Sequence, residues 1–115
     1  MKPLLSNHKY MRKITLEPYQ TKVRTTEGEK EVKYGIKESF VEILFNPGLK
    51  LGGMALLKQN ELAEKIMRSD GDVLLEEEEY QRIRTAIETV EGLGKNDVEF
   101  VRRILEAKEV GVQEK

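Results

Sequence analysis

The amino-acid sequence predicts an α+β domain in which an N-terminal β-hairpin packs on three to four helices, the last two forming an αα-hairpin. Three observations predict this class. Apolar residues alternate with polar ones between Lys13 and Ile36, which is the period of strands. Beyond residue 53 they recur every three or four residues, which is the period of helices. The chain has 115 residues, enough for one domain.

The hairpin is predicted from two alternating segments, residues 13–23 and 32–36, on either side of a turn. The turn signal is the segment Thr-Glu-Gly-Glu at residues 26–29. Pro18 interrupts the first segment. Because proline has no amide proton to donate to a ladder, Pro18 places that strand at a sheet edge or marks a bulge.

The segment after the hairpin, residues 38–46, allows two interpretations. Phe40, Ile43 and Leu44 have helical spacing, and the segment runs into Asn46-Pro47, which predicts a short helix. The same segment is rich in β-branched and aromatic residues, so a third short strand is the competing interpretation.

The rest of the chain predicts three helices and one short strand. A glycine-containing connector, residues 48–53, leads to a helix from about Met54 to Arg68. Residues 73–75 predict a strand that could pair with the hairpin. Four glutamates, residues 76–79, open the next helix, where they complement the positive end of the helix dipole. The predicted buried residues of the first of these helices are Leu56, Ala63, Ile66 and Met67.

The last helix is predicted to begin at Asn96, because Asn96 and Glu99 fit a capping box. Glycines at 92 and 94 separate it from the preceding helix, so the two form the αα-hairpin. The domain is expected to span residues 13–110, between a flexible arm at residues 1–12 and a frayed tail at residues 111–115.

Composition removes several classes of function. The chain has no cysteine, which excludes disulfides, thiolate zinc sites and a cysteine nucleophile. Its one histidine, His8, has neither a nucleophile nor an orienting carboxylate at fixed spacing. We therefore expect no enzymatic activity, no metal site and no cofactor.

Neither a secretory signal nor a membrane helix is expected. The N-terminal residues have no sustained apolar stretch, and no apolar run exceeds the four residues at 54–57, far short of the roughly 20 residues that a membrane helix needs. A cytoplasmic location without membrane contact is the expectation.

Charge is divided between the two halves of the chain. Residues 1–58 carry eleven Lys/Arg and six Glu, a net of +5, and residues 59–115 carry nine Lys/Arg and fifteen Asp/Glu, a net of −6. This division favours head-to-tail association of copies, or contact between the basic half and an acidic partner. An unevenly charged but solvated surface remains the alternative.

Protein–protein contact is the function class that the sequence favours. Several apolar residues fall outside the main helical stripes, and surplus apolar surface on small domains commonly forms a partner or self-association face. The expected interface residues are Phe40, Phe45, Leu49, Leu51 and Leu57. The alternative is that the hairpin and the connector cover all of them.

Nucleic-acid binding is the alternative function. Basic residues and an aromatic occur together in the arm and the hairpin, where they could contact phosphates and stack on a base. Glutamates interrupt these stretches, and the isoelectric point of about 6.0 is low for a dedicated binder. The candidate residues are Lys9, Tyr10, Arg12, Lys13, Lys22 and Arg24.

The pattern of residue types in the C-terminal half also suggests a class of protein. The segments Leu74-Leu75-Glu76, Glu88-Thr89-Val90 and Phe100-Val101 carry it, together with Tyr80, Asn96-Asp97 and residues 104–107. Over residues 54–110 the chain resembles small uncharacterised proteins of tailed phages and prophages. The resemblance implies a virion or assembly component, or a small host-directed regulator, that acts by protein contact and has no catalytic residues.

Overall fold

The computed structural model describes residues 8–113, with side chains from residue 10 to residue 112. The predicted α+β class is confirmed, because this part of the chain forms five strands in two sheets and four α-helices. The elements are, in chain order, β1 (His8–Thr15), β2 (Tyr19–Thr25), β3 (Gly28–Tyr34), α1 (Ile36–Leu44), α2 (Gly53–Arg68), β4 (Asp72–Leu75), α3 (Glu77–Thr89), α4 (Val98–Leu105) and β5 (Lys108–Gln113).

β1 is the central strand of an antiparallel sheet with the order β4-β1-β5. Ile14 pairs with Val73 of β4, and both side chains are buried on the face that α3 and α4 cover. The prediction that residues 73–75 pair with the hairpin is confirmed only for the start of its first predicted segment, because Lys13 and Ile14 pair with Leu74 and Val73. The hairpin lies in a separate sheet, and β1, which ends before Pro18, pairs with β4 instead.

Both ends of the described chain are strands. Residues 8–12, expected to be a flexible arm, form most of β1, and residues 111–113 of the expected tail belong to β5. Each segment supplies the ladder partner of the other, with His8 opposite Gln113. The remainder of the predicted arm and tail, residues 1–7 and 114–115, lies outside the described residues.

β2 and β3 form the predicted hairpin as a two-stranded sheet, with Tyr19 opposite Tyr34 at its base and Thr25 opposite Gly28 at its turn. Gly28 has φ = 109°, a conformation that glycine adopts at little cost. The first strand of the hairpin begins at Tyr19 rather than at Lys13. Pro18, which cannot donate to a ladder, lies in the break between the two strands.

The helical interpretation of residues 38–46 is confirmed by α1. Its buried residues are Ile36, Phe40, Ile43 and Leu44, which lie on one face of a helix. A strand would place Phe40 and Ile43 on opposite faces of a sheet and expose one of them.

α3 and α4 lie adjacent, as the predicted helix pair requires. α3 begins with a capping box, in which the Glu76 amide donates to Glu79 Oε1 at 2.9 Å. The prediction of a capping box between Asn96 and Glu99 is wrong, because Asn96 lies in a turn of 3-10 helix before α4 and is not the N-cap of that helix. Glu99 forms ion pairs with two arginines of its own helix instead.

The core lies between the β4-β1-β5 sheet and the helices. Phe40 and Phe100 pack edge to face with ring centroids 5.0 Å apart. The buried Tyr80 hydroxyl donates to the Ile104 carbonyl at 2.7 Å, so its polar end is satisfied inside the core. The largest completely buried side chains are Tyr80, Phe40, Phe100, Ile14, Ile36, Leu44, Ile66, Leu75, Ile83, Ile104 and Val73.

Candidate protein-interaction site

The connector between α1 and α2 is held in one conformation by its own hydrogen bonds. Asn46 Oδ1 accepts from the Gly48 amide at 3.1 Å, and the Asn46 carbonyl accepts from the Leu49 amide at 2.9 Å. Lys50 then takes a left-handed conformation, with φ = 53°. These bonds place Leu49 against the core and leave Leu51 half-buried beside it.

Gln59, the one polar residue buried among those described, fixes α2 to its neighbours. Its amide nitrogen donates to the Leu44 carbonyl at 3.0 Å, and its amide oxygen accepts from Arg82 at 3.1 Å. The side chain therefore satisfies the last turn of α1 and ties α2 to α3. The start of α2 is therefore held against α1 and α3 by these two hydrogen bonds.

Large apolar side chains are exposed in that first turn. Met54 is 70% exposed, Leu57 61% and Leu56 46%. A helix can bury only one face, and the buried face of α2 is formed by Gln59, Leu62, Ala63 and Ile66. We call Leu49, Leu51, Met54, Leu56 and Leu57 the apolar end of α2.

The exposed face of α2 becomes charged beyond its apolar end. Glu61 and Glu64 follow Leu57 by four and seven residues, so they continue the same stripe of the helix, and both are exposed. Arg68, four residues after Glu64, is exposed on the same stripe. At the adjoining start of α3, Glu78 is 70% exposed and forms an ion pair with Lys58 at 3.5 Å. The border of the apolar end therefore carries charges of both signs.

The expected interface residues divide between the core and the surface. Phe40 must be corrected, because it is 0% exposed and packs on Phe100, so it cannot contact a partner in this fold. Phe45 and Leu49 are partly buried against the core. Leu51 and Leu57 lie in the apolar end of α2. Leu57 is the most exposed of the five interface residues that the sequence predicts.

Two members of the apolar end of α2 were missed by the sequence analysis. Met54 was not singled out, and Leu56 was predicted to be buried, as was Met67, which is 45% exposed. The buried face of α2 includes Gln59. Because Gln59 is polar, a pattern based on hydrophobic residues does not identify this face. The available signal was the run Met-Ala-Leu-Leu at residues 54–57, since four successive apolar residues cannot all face one side of a helix.

The β1 candidates for nucleic-acid binding do not form one surface. Arg12 is occupied inside the fold, where it donates to the Ala107 carbonyl at 2.8 Å and lies over the Tyr80 ring at 4.6 Å. Tyr10 is 68% exposed on the same side of the sheet, whereas Lys13 points to the other side and lies 3.5 Å from Asp72. Lys9 belongs to β1 by its backbone.

The hairpin candidates lie on a different sheet. Lys22 and Arg24 are exposed, but the register places them directly opposite Glu31 and Glu29. Neighbouring glutamates offset the attraction of these cations for phosphate. The six candidate residues thus lie on separate surfaces, none of which is purely basic.

The base of the hairpin is joined to α4 by aromatic stacking and hydrogen bonds. Tyr19 and Tyr34 stack with ring centroids 4.7 Å apart, and Tyr34 also packs on Phe100. The Tyr34 hydroxyl donates to Asp97, and Asn96 Nδ2 donates to the Lys22 carbonyl at 2.9 Å. The hairpin is therefore oriented by its base, while its strands project with exposed side chains.

Alkaline pH is expected to weaken this attachment. Burial, followed by the hydrogen bond to Asp97, raises the pKa of Tyr34 well above its usual value of 10.0. The pKa is higher in the folded state, so this contribution to stability is complete below pH 10.0 and is lost as the pH rises above it. Ultraviolet titration should show Tyr34 ionising later than in the unfolded chain, together with Tyr19, whose pKa is also raised by burial.

Tyr34→Phe is the control for this titration. It removes the Tyr34 phenol from the late phase and leaves that of Tyr19, and it should reduce the loss of stability above the usual tyrosine pKa. An unchanged late phase in Tyr34→Phe would assign it to another tyrosine and contradict the prediction.

Among residues 8–113, no group of three or more His, Asp or Glu side chains is arranged to hold a metal ion. No helix in the same residues is both long and apolar enough to cross a membrane.

Comparison with known proteins gives no family assignment. No family model, curated protein sequence or solved structure matches the chain. Functional inference therefore depends on the geometry described above.

Proposed function

We propose that this chain is a non-enzymatic interaction or assembly component that binds a protein partner through the apolar end of α2. The observation that carries the proposal is the exposure of Met54 and Leu57 on the face of α2 opposite the buried Gln59, with Leu56 exposed on the flank between them. Exposed apolar clusters of this kind on small domains commonly mark partner surfaces, and methionine adapts readily to a contacting surface. The partner is expected to present an apolar surface.

A phage virion or morphogenesis protein is the setting that we propose, as the resemblance of residues 54–110 implies. The charge division of the chain is consistent with assembly, because the basic half of one copy could contact the acidic half of another. Association through exposed apolar surface requires neither a cofactor nor a catalytic group.

A photo-crosslinking residue at position 57, in the chain expressed in its native setting, should capture the partner. The same residue at Val98, which is 49% exposed on α4, is the matched control. With the captured protein purified, Met54→Lys combined with Leu57→Lys should weaken its binding at least about tenfold, because lysines replace buried apolar contacts. The thermal unfolding midpoint should stay unchanged, since both positions are exposed.

Two results would contradict the proposal: equal capture from positions 57 and 98, or full binding by the double lysine variant. Nucleic-acid binding, the alternative function, makes a different prediction. It requires salt-sensitive binding of labelled DNA or RNA that Lys22→Ala and Arg24→Ala weaken and the lysine substitutions in α2 do not.

A further inference from the structure

The outer edge of β5 has no strand partner among the described residues. β5 is an end strand of the β4-β1-β5 sheet, and β1 occupies only its inner edge, from His8 to Lys13. The free amide and carbonyl groups of such an edge are a template for another strand.

The sequence of β5 is self-complementary about Gly111. When two antiparallel copies pair with Gly111 opposite Gly111, Val110 of each lies opposite Val112 of the other, and Glu109 lies opposite Gln113. Apolar positions therefore meet apolar positions, and no two like charges meet. This register relates the copies by a two-fold axis perpendicular to the sheet, because paired residues share a face.

The two neighbouring registers with the same symmetry are poorer matches. Centring the pair on Val110 places Lys108 opposite Val112 and Glu109 opposite Gly111, so each Val112 loses its apolar partner. Centring it on Val112 places Gly111 opposite Gln113 and leaves Val110 beyond the end of the partner's β5. The Gly111 register is therefore favoured by its cross-strand pairs.

Side chains beside the outer edge of β5 also favour pairing with β5 of a second copy. Val110 and Val112 are half-buried on the face of the sheet away from α3 and α4, where Val110 pairs with Met11. On the other face Tyr10, 68% exposed, lies over Gly111, and a Cβ at Gly111 would be 3.8 Å from the ring. Pairing would extend the valine strip across both copies and place two Tyr10 rings near the axis.

We propose that β5 is a homodimer interface, at which a second copy of this chain pairs antiparallel with Gly111 opposite Gly111. The two three-stranded sheets then form one continuous sheet with the helices of both copies on the same side. The interface is separate from the apolar end of α2, so it does not depend on the proposed function.

Two double variants with matched loss of apolar surface test the register. Val110→Lys with Val112→Lys places lysine opposite lysine at both pairs, whereas Val110→Lys with Val112→Glu places lysine opposite glutamate. In sedimentation or light scattering of the full chain, the wild type should dimerise. The first variant should weaken the dimer at least about tenfold, and the second should largely restore it in low salt.

A cysteine variant tests the axis independently of those substitutions. The chain has no cysteine, so Gly111→Cys provides a single thiol that would face its symmetry mate at a separation within disulfide range. Under mild oxidation it should form a covalent dimer, while Val23→Cys, on the exposed hairpin, should form far less.

A wild-type chain that stays monomeric at all concentrations overturns the inference. So does equal association of the two double variants, or equal crosslinking of the two cysteine variants. Met54→Lys with Leu57→Lys should leave the dimer intact, which separates this result from the failure of the proposed function.

Discussion

Phe100→Ala is expected to lower the free energy of unfolding by about 3–5 kcal/mol, the usual cost of truncating a buried phenylalanine. Phe100 is 1% exposed and packs on Phe40 at 5.0 Å and on Tyr34 at 5.8 Å between ring centroids. It therefore supports both the helical core and the base of the hairpin. Chemical denaturation followed by circular dichroism measures the change.

Val98→Ala provides the comparison on the same helix. Its side chain is 49% exposed, so its loss should change the free energy of unfolding by no more than about 0.5 kcal/mol. If Phe100→Ala costs as little as Val98→Ala, α4 does not face the core as described. Hydrogen exchange should also show faster opening of β2 and β3 in Phe100→Ala, because their aromatic support is reduced.

Ile104→Ala is expected to cost about 2–5 kcal/mol of unfolding free energy. The side chain is 0% exposed, so truncation leaves a cavity that the surrounding core can close only in part. The Ile104 carbonyl still accepts the Tyr80 hydroxyl, so the effect reports packing and not a lost hydrogen bond. Thermal and urea unfolding both measure it.

The neighbouring residue is the control for Ile104. Leu105 is 37% exposed, so Leu105→Ala should cost markedly less than Ile104→Ala. Equal costs for the two substitutions, or a loss below about 0.5 kcal/mol for Ile104→Ala, would contradict the packing of α4 on α3 and β1.

The helices and the hairpin could be predicted because their signals are local. The periodicity of α1, and the glutamates that open α3, lie within single elements. The hairpin turn at Gly28 has flanking strands whose residues pair in order. Counting outwards from that turn also pairs Tyr19 with Tyr34, a signal that would have identified the aromatic base of the hairpin.

The three-stranded sheet could not be predicted in the same way, because its pairings join distant segments. β1 contains Lys9, Tyr10, Met11 and Arg12, which show no clean alternation of apolar and polar residues. Arg12 is accommodated on the buried side only because Tyr80 and the Ala107 carbonyl receive it. No feature of the sequence near Arg12 indicates that it contacts Tyr80 or the Ala107 carbonyl.

The candidate site was predicted in part. Leu51 and Leu57 belong to the apolar end of α2, but Phe40 does not, since α1 turns it into the core. Surplus apolar residues can be counted from a sequence, whereas which of them remain outside depends on how helices are rotated. In α2 the buried face includes Gln59, a polar residue that a hydrophobic pattern assigns to the surface.

The arrangement of β1 between β4 and β5 also sets the order in which the chain can fold during synthesis. The hairpin pairs only residues 19–34, so its ladder partners are made early, but its aromatic base is supported only once Phe100 has been made. β1 emerges before it but waits for residues 72–75 and finally for residues 108–113 before both of its edges are paired. β1 thus keeps an open edge until residues 108–113 have been made, and the sheet closes in a long-range step.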